Sequence, residues 1–463
     1  MKLYFGHPGD QPDYHAYEAL QIFGLRGNMP EFVPGESSMW LRAVYEDGAA
    51  VTLSVPDLRD SKELERFIYI KMSELTGYSS PWGCLTGVRP TKIVNQLLAS
   101  GKDPEGVMNE LTGFYCASET KARLALDTAL NQKPFIDRQA ADPSRIGIYI
   151  GIPFCPSRCL YCSFTSNSIE KYKKSVGTYL ELLHAEMAET ALIVREQGLK
   201  IESVYIGGGT PTSLDDETFA RFIDDVVNNF VVPSPDLCEF SVEAGRPDSI
   251  TPGKLGSMRA AGVSRISVNP QTMNDETLRL IGRRHTSDDM LRAFAMAREA
   301  GFGNINTDII CGLPGEDEAA FSRTLDVICD LSPESVTVHT LSVKRAADLK
   351  RDVLRSTLQA DITGSMVSSA YSRLCGLGFR PYYMYRQKNM VGNHENVAYC
   401  RPGFESPYNI HIMEEDQTIL ACGAGAVSKQ VTPGVIRRAF NVKSVEEYLA
   451  RSAEMALRKR ELF

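Results

Sequence analysis

From Ile146 onward the chain alternates short β-rich runs with long helical patterns, and this alternation limits the possible folds more than any other feature. Each run ends in glycine, proline or a polar residue, as a strand does where it hands over to a turn. The runs predict strands at 146–152, 203–206, 239–242, 265–268, 304–310 and 335–341, with helices at 169–197, 215–229, 252–261, 287–300 and 318–330. Parallel neighbours need long crossover connections, usually helical, so six strands spaced by helices predict a parallel sheet. Chemically useful residues fall where the strands end: Cys155 after the first, Gly207 to Pro211 after the second, Glu243 after the third and Gln271 after the fourth. Active sites of parallel β/α barrels form at that edge.

The rest of the chain reads differently. Residues 1–134 suggest a separate domain, a small α/β region through Gly77 followed by helices at 90–98 and 117–130. Beyond Leu349, a helix at 361–377 leads into an aromatic and glycine-rich tail that ends in a charged helix at 444–460. A length of 463 residues exceeds what one core usually organises. A formal charge of −8 gives no reason to expect a nucleic-acid partner. The N-terminal stretch has no apolar segment before a small-residue cleavage site, and no apolar run is long enough for a bilayer, so no membrane span and a cytoplasmic location are expected. Eleven cysteines, an odd number, lie scattered apart from one tight group, unlike a secreted disulfide framework.

That group is Cys155, Cys159 and Cys162, within Ile152-Pro-Phe-Cys-Pro-Ser-Arg-Cys-Leu-Tyr-Cys-Ser-Phe164. A spacing of i, i+4 and i+7 would also suit one face of a helix, but Pro156 would fall inside that helix, where it removes a donor and clashes. A loop suits the prolines better. Structural zinc normally takes four ligands, and no fourth Cys or His lies nearby in the sequence. Three thiolates suit a 4Fe-4S cluster with one iron left open.

Cys-x3-Cys-x2-Cys with an aromatic before the last cysteine resembles the signature of the radical S-adenosylmethionine superfamily. Tyr149 to Cys155 (Tyr-Ile-Gly-Ile-Pro-Phe-Cys) is similar to the Tyr-x-His-Ile-Pro-Phe-Cys of oxygen-independent coproporphyrinogen III oxidases and related haem chaperones, with Gly151 in place of His. The likeness continues in Gly207-Gly-Gly-Thr-Pro-Thr212, Ser241-Val-Glu-Ala244, Arg265-Ile-Ser-Val-Asn-Pro-Gln271, Asn306-Thr-Asp-Ile-Ile-Cys-Gly-Leu-Pro314 and Gly423-Ala-Gly-Ala-Val-Ser428. Leu85-Thr-Gly-Val-Arg-Pro-Thr-Lys92 and Tyr382-Tyr-Met-Tyr-Arg-Gln-Lys388 resemble the branch of HemZ-type coproporphyrinogen dehydrogenases. The resemblance implies an α/β fold: a partial (β/α)6 TIM-like barrel of the radical SAM type at 146–345, an added N-terminal α/β domain at 1–134 and a C-terminal, substrate-covering domain at 350–463.

It also implies a set of site residues. Cys155, Cys159 and Cys162 would hold the cluster, and Tyr149 and Glu243 would be catalytic. S-adenosylmethionine, in two copies, would be bound by Tyr149, Tyr161, Gly208, Gly209, Thr210, Glu243, Gln271, Arg283 and Asp308. Glycines let backbone approach a ligand closely, and the planar fork of Arg283 suits a carboxylate. Arg158, Arg283 and Arg386 are candidate partners for substrate propionates. Tyr382, Tyr383 and Tyr385 could line a porphyrinogen pocket or simply alternate along a half-buried strand. His285, His339, His394 and His411 read as packed or surface residues, and Arg89 and Lys92 as solvated.

The implied reaction is oxidative decarboxylation of two propionates of coproporphyrinogen III to vinyl groups, giving protoporphyrinogen IX. It calls for a tetrapyrrole substrate, a low-potential electron donor and an electron acceptor. The competing readings are a haem chaperone and another radical reaction on a tetrapyrrole. The chaperone group carries a late His-Asn-x-x-Tyr-Trp segment, and Tyr408 to Met413 lacks its His, Tyr and Trp, whereas Ser163-Phe164 is closer to the chaperone pattern.

Overall fold

A computed structural model describes the chain except residues 25–28, 88, 163–166, 343–359 and 387–393. Val88, Ser163, Phe164, Gln387 and Lys388 of the motifs above lie outside the described residues. The chain divides into two compact units, residues 1–130 with 384–395 and residues 131–383 with 396–463.

In the first unit, strands β1 (Lys2–His7), β2 (Glu31–Pro34), β3 (Trp40–Val44) and β4 (Ala50–Ser54) form a sheet in the order β2-β1-β3-β4. β1 runs parallel to β2, with the Tyr14–Gly24 helix as crossover, and antiparallel to β3. Leu3, Phe5, Leu41 and Ala43 alternate onto the buried face, and the Tyr14–Gly24 and Ser61–Thr76 helices bury Leu20, Phe23, Ile68 and Met72. Buried Glu395 accepts from Lys121 Nζ at 2.5 Å and Trp82 Nε1 at 2.7 Å, so its charge is paired and hydrogen-bonded.

The Glu119–Ala141 helix runs through Pro134, where the sequence suggested a boundary. The proline ring faces solvent, and the last turns are tied down by Gln139, whose Nε2 donates to Arg145 O at 3.2 Å. That support keeps the helix continuous despite a residue that usually ends one.

The second unit holds β5 (Arg145–Ile152), β8 (Lys200–Gly208), β9 (Glu239–Glu243), β10 (Arg265–Ser267), β11 (Ile305–Cys311) and β12 (Ser335–Thr340), parallel and adjacent in chain order. This is the partial TIM-like barrel expected of the family. Its strands are buried almost throughout, as parallel strands covered on both faces are. Two short strands, β6 (Phe154–Cys155) and β7 (Asn167–Ser168), form a separate pair. At one edge β14 (Glu395–Cys400) pairs antiparallel with β12, with β13 (Arg380–Arg386) beyond it. At the other edge β15 (Thr418–Cys422) pairs parallel with β5, followed by β16 (Val427–Thr432) and β17 (Val435–Phe440). The sequence set 350–463 apart as a third domain, but its strands extend the barrel's own sheet. An open barrel leaves two edges of unpaired N–H and C=O groups, and these strands satisfy them.

Candidate functional site

The three cysteines lie on a loop whose base is closed by main-chain pairing. β6 pairs with β7 in the register Phe154↔Asn167 and Cys155↔Ser168, and Asn167 N donates to Pro153 O at 2.9 Å. Leu160 and Tyr161 pack against an apolar cluster of Leu278, Ile281, Ile310, Leu313 and Leu341. Leu160 N also donates to Ile281 O at 3.0 Å. Fully burying an apolar side chain stabilises by roughly 1.5–3 kcal/mol, and the partly buried Leu160 and Tyr161 gain a share of that.

Two donors point at the sulfurs. Thr210 Oγ1 donates to Cys155 Sγ at 3.4 Å, and Arg246 Nη1 to Cys159 Sγ at 3.7 Å. Arg246 is oriented by Asp248, which accepts from it at 2.9 and 2.8 Å, and it also donates to Ser157 O at 3.2 Å. Burial pushes the Cys155 thiol up to about 11. A guanidinium and a hydroxyl aimed at sulfur favour the ionised ligands that an iron–sulfur cluster requires. The donor set therefore fits a cluster held by Cys155, Cys159 and Cys162. Among the described residues, no group of three His, Cys, Asp or Glu side chains is arranged to hold a metal ion.

The end of β8 lies against this loop, backbone on backbone. Gly209 N donates to Ile152 O and Thr210 N to Phe154 O, both at 2.7 Å. A Cβ on Gly209 would sit 2.6 Å from Phe154 O and 2.8 Å from Cys155 Sγ, and Gly208 takes φ +116, so only glycine fits the pair.

Inside the barrel, half-buried residues interrupt or end the buried runs of five strands: Tyr149 on β5, Tyr205 on β8, Glu243 on β9, Asp308 on β11 and His339 on β12. Asn269 holds the corresponding place two residues past β10. Tyr205 OH donates to Glu243 Oε1 at 2.6 Å. Burial lifts the Glu243 carboxyl to about 7, with the nearby charge of Asp308 also raising it, while hydrogen bonds from Tyr205 and the Gly208 backbone work the other way. Asp308 accepts from Asn269 Nδ2 and Asn306 Nδ2 at 2.8 Å each, and His339 Nε2 stands 3.8 Å from it. Burial alone would raise the Asp308 carboxyl, but the nearby His339 imidazole and hydrogen bonding from Asn306 hold it below the ordinary range. The rings of Tyr149, Tyr205 and Tyr408 stack within 18° of parallel, with Tyr205 and Tyr408 centroids 4.4 Å apart.

Tyr161, Arg283, Asn269, Gln271 and Asp308 form a chain of contacts. Arg283 Nη2 donates to Tyr161 OH at 3.2 Å and Nη1 to Asn269 O at 2.8 Å, while its buried Nε has no partner among the described residues. Gln271 takes φ +69, uncommon for a residue with a side chain, and is pinned by Gln271 N to Asp308 O at 3.0 Å and Ile310 N to Gln271 O at 2.9 Å. Arg283 is buried and Arg284 exposed, so the two adjacent arginines have different surroundings.

The structure thus sets the three cysteines on one loop with Gly208 to Thr210 against it, and brings together Tyr149 with Glu243 and Asp308, and Tyr161 with Arg283 and, through Asn269 and Asp308, Gln271. Arg158 is exposed on the cysteine loop. Arg386 belongs to the first unit, where Nη1 donates to Leu85 O at 2.6 Å and the guanidinium lies 5.5 Å from the Trp82 ring. Tyr382 is fully buried and accepts from Arg265 Nη2 at 3.3 Å, in keeping with packing along a strand. Sequence reasoning missed Tyr205, Tyr408, Asn269 and Arg246, and took His339 for a packed or surface residue. For Tyr205 a signal was present, since it stands at the same strand level as Tyr149. For Arg246 and Tyr408 there was none, because an arginine just past a strand reads as solvent-facing and the rings that Tyr408 meets are far away in the chain.

Residues 149–328 match the model of the radical SAM superfamily. Over 406 residues the chain is 38% identical to the oxygen-independent coproporphyrinogen-III oxidase-like protein HemZ of Bacillus subtilis, covering 85% of this chain and 80% of that protein. It is 32% identical to the heme chaperone HemW of Bacillus subtilis, over 66% of this chain and 76% of that one. Among solved structures, coproporphyrinogen III oxidase (HemN) from Escherichia coli, a radical SAM enzyme, superposes with a TM-score of 0.54 at 23% identity, covering 70% of this chain and 73% of that one.

Proposed function

From the premise that this chain belongs to the radical SAM superfamily, and there to the oxygen-independent coproporphyrinogen-III oxidase-like group that includes HemZ, we propose that it decarboxylates two propionates of coproporphyrinogen III to vinyl groups. Membership implies a 4Fe-4S cluster and S-adenosylmethionine. When bound, they supply one-electron cleavage to methionine and a 5′-deoxyadenosyl radical, the agent that takes hydrogen from the β-carbon of a propionate.

The chain's own residues would do the positioning. Cys155, Cys159 and Cys162 hold the cluster, with Thr210 and Arg246 donating to its sulfur ligands. Glu243, at the end of β9, receives the amine or ribose hydroxyls of S-adenosylmethionine, and the bare backbone of Gly208 and Gly209 lets the methionine end approach. Tyr161, Gln271, Arg283 and Asp308 serve a second S-adenosylmethionine. The Tyr149, Tyr205 and Tyr408 rings fill one side of the lumen and exclude water, which protects a reactive carbon radical. The electron donor that reduces the cluster and the acceptor of the electron left on the substrate are outside this chain.

The observation that supports this reading is the unbroken contact chain Tyr161, Arg283, Asn269, Asp308, which links three of the four residues proposed for the second cofactor. A haem-carrying role is the second reading, favoured by the 32% identity to HemW. Anaerobic incubation of the reduced, cluster-loaded protein with S-adenosylmethionine and coproporphyrinogen III separates them. Protoporphyrinogen IX is expected. Untouched porphyrinogen together with tight haem binding and transfer to an acceptor would overturn the decarboxylase reading.

A further inference from the structure

We propose that Tyr205 sets the charge state of Glu243, and through it the pH range in which the barrel accepts a cationic sulfonium ligand. This rests on the reading above, in which Glu243 meets S-adenosylmethionine.

Tyr205 lies opposite Tyr149 of β5 and Ser241 of β9, two residues before Glu243. Its hydroxyl reaches across to Glu243 Oε1 at 2.6 Å, a short bond of the charge-assisted kind. The hydroxyl has little freedom to swing away. Its ring is stacked on Tyr408 at 4.4 Å and faces Tyr149 at 6.3 Å, and Tyr408 is itself anchored where its N–H donates to Glu239 Oε2 at 3.0 Å. The carboxyl is confined too, because a Cβ on Gly207 would stand 3.0 Å from Glu243 Cδ, so the side chain lies against bare β8 backbone.

Groups on β8, β11, β5 and the Pro407–Glu414 helix bear on the charge of Glu243, and the neighbouring β10 sets the neutral Ser267 opposite it. β8 contributes the Tyr205 hydroxyl and the Gly208 backbone, both favouring ionisation, and β11 contributes Asp308, whose charge opposes it. Tyr149 of β5 and Tyr408 of the Pro407–Glu414 helix also face it, and burial beside Glu243 keeps both phenols neutral. The balance leaves Glu243 titrating at about 7, so the presence of one donor decides whether it is charged at neutral pH. Tyr205 acts through Glu243, and its role is that of a positioning residue.

The test measures S-adenosylmethionine affinity of the cluster-loaded protein by calorimetry from about pH 6 to about pH 8.5, for wild type, Tyr205→Phe and Glu243→Gln. Phenylalanine keeps the ring stack and removes only the hydroxyl. Wild-type affinity is expected to rise through about pH 7. In Tyr205→Phe the midpoint should move up by about one unit, so that affinity near neutrality falls about three- to tenfold and recovers at the alkaline end. Glu243→Gln should bind weakly with a flat profile. A Tyr205→Phe midpoint equal to that of wild type, or an equal loss of affinity at every pH, overturns the inference. Wild-type affinity in Glu243→Gln would instead remove Glu243 from the cofactor site, and the inference with it.

Discussion

Single residues in this site are held by contacts that leave little tolerance. Gly209 is the sharpest case, because an added Cβ would meet the Phe154 carbonyl and the Cys155 sulfur, and neither belongs to a flexible side chain that could move aside. Gly209→Ala should displace the cysteine loop at a cost of about 1–3 kcal/mol and lower iron and sulfide content after reconstitution, in the direction of a triple Cys155, Cys159 and Cys162→Ala variant. Full iron content in Gly209→Ala would show that the loop can shift freely. The cysteines, the glycine turn and Glu243 were legible in the sequence because each stands within a few residues of a strand end. Tyr408 was not, since a ring delivered from more than two hundred residues away leaves no local pattern. Arg246 was hidden for another reason: an arginine three residues past a strand reads as solvent-facing until the loop it supports is in place.

Among the elements, the helical and strand assignments between 146 and 341 were largely readable, because parallel strands and amphipathic helices write different periods into the chain. What periodicity could not show was which later strands would close the sheet. The pairing of β15 with β5 depends on partners far apart in sequence. One network fixes that junction. Buried Glu186 on the Val176–Glu196 helix accepts from Lys459 and Tyr448 on the Val445–Arg460 helix, from Asn441 Nδ2 at 2.8 Å and from Gly423 N at 2.9 Å. Breaking one partner of a buried ion pair leaves the other charged and unpaired, so Lys459→Ala should cost about 3–5 kcal/mol in chemical denaturation. An unchanged midpoint would mean that Glu186 is satisfied without it.

A second network lies beside the start of β15. Burial pulls the His411 imidazole down, but Asp416, 2.9 Å from Nδ1, and Glu202, 3.5 Å from Nε2, outweigh it and raise it to about 9. A folded-state value above the unfolded one of about 6.5 stabilises fully below about pH 6.5, and the benefit is lost as pH climbs through about 9. The contribution is at most about 3 kcal/mol. His411→Gln should flatten the fall of melting temperature over that window, whereas an unaltered slope would assign the pH dependence to other groups.

For the molecule as a whole, the sequence suggested three domains and the structure groups the described residues as two units. The reason is that the C-terminal strands complete a sheet begun some 270 residues earlier, a long-range pairing invisible to any local window. No helix among the described residues is long and apolar enough to cross a membrane. The barrel and its loop are those of the radical SAM superfamily, and the relatives similar to this chain include an oxidase-like protein and heme chaperones, so the choice between a porphyrinogen substrate and a haem cargo is one for assay.

The measurement that bears most directly on that choice is the time course of carbon dioxide and 5′-deoxyadenosine released from coproporphyrinogen III and S-adenosylmethionine by the reduced protein under strict anaerobiosis. Each hydrogen abstraction uses one cofactor molecule, so about one 5′-deoxyadenosine per carbon dioxide is expected, with a monovinyl intermediate preceding protoporphyrinogen IX. Formation of 5′-deoxyadenosine with no carbon dioxide and no vinyl product would contradict the decarboxylase account.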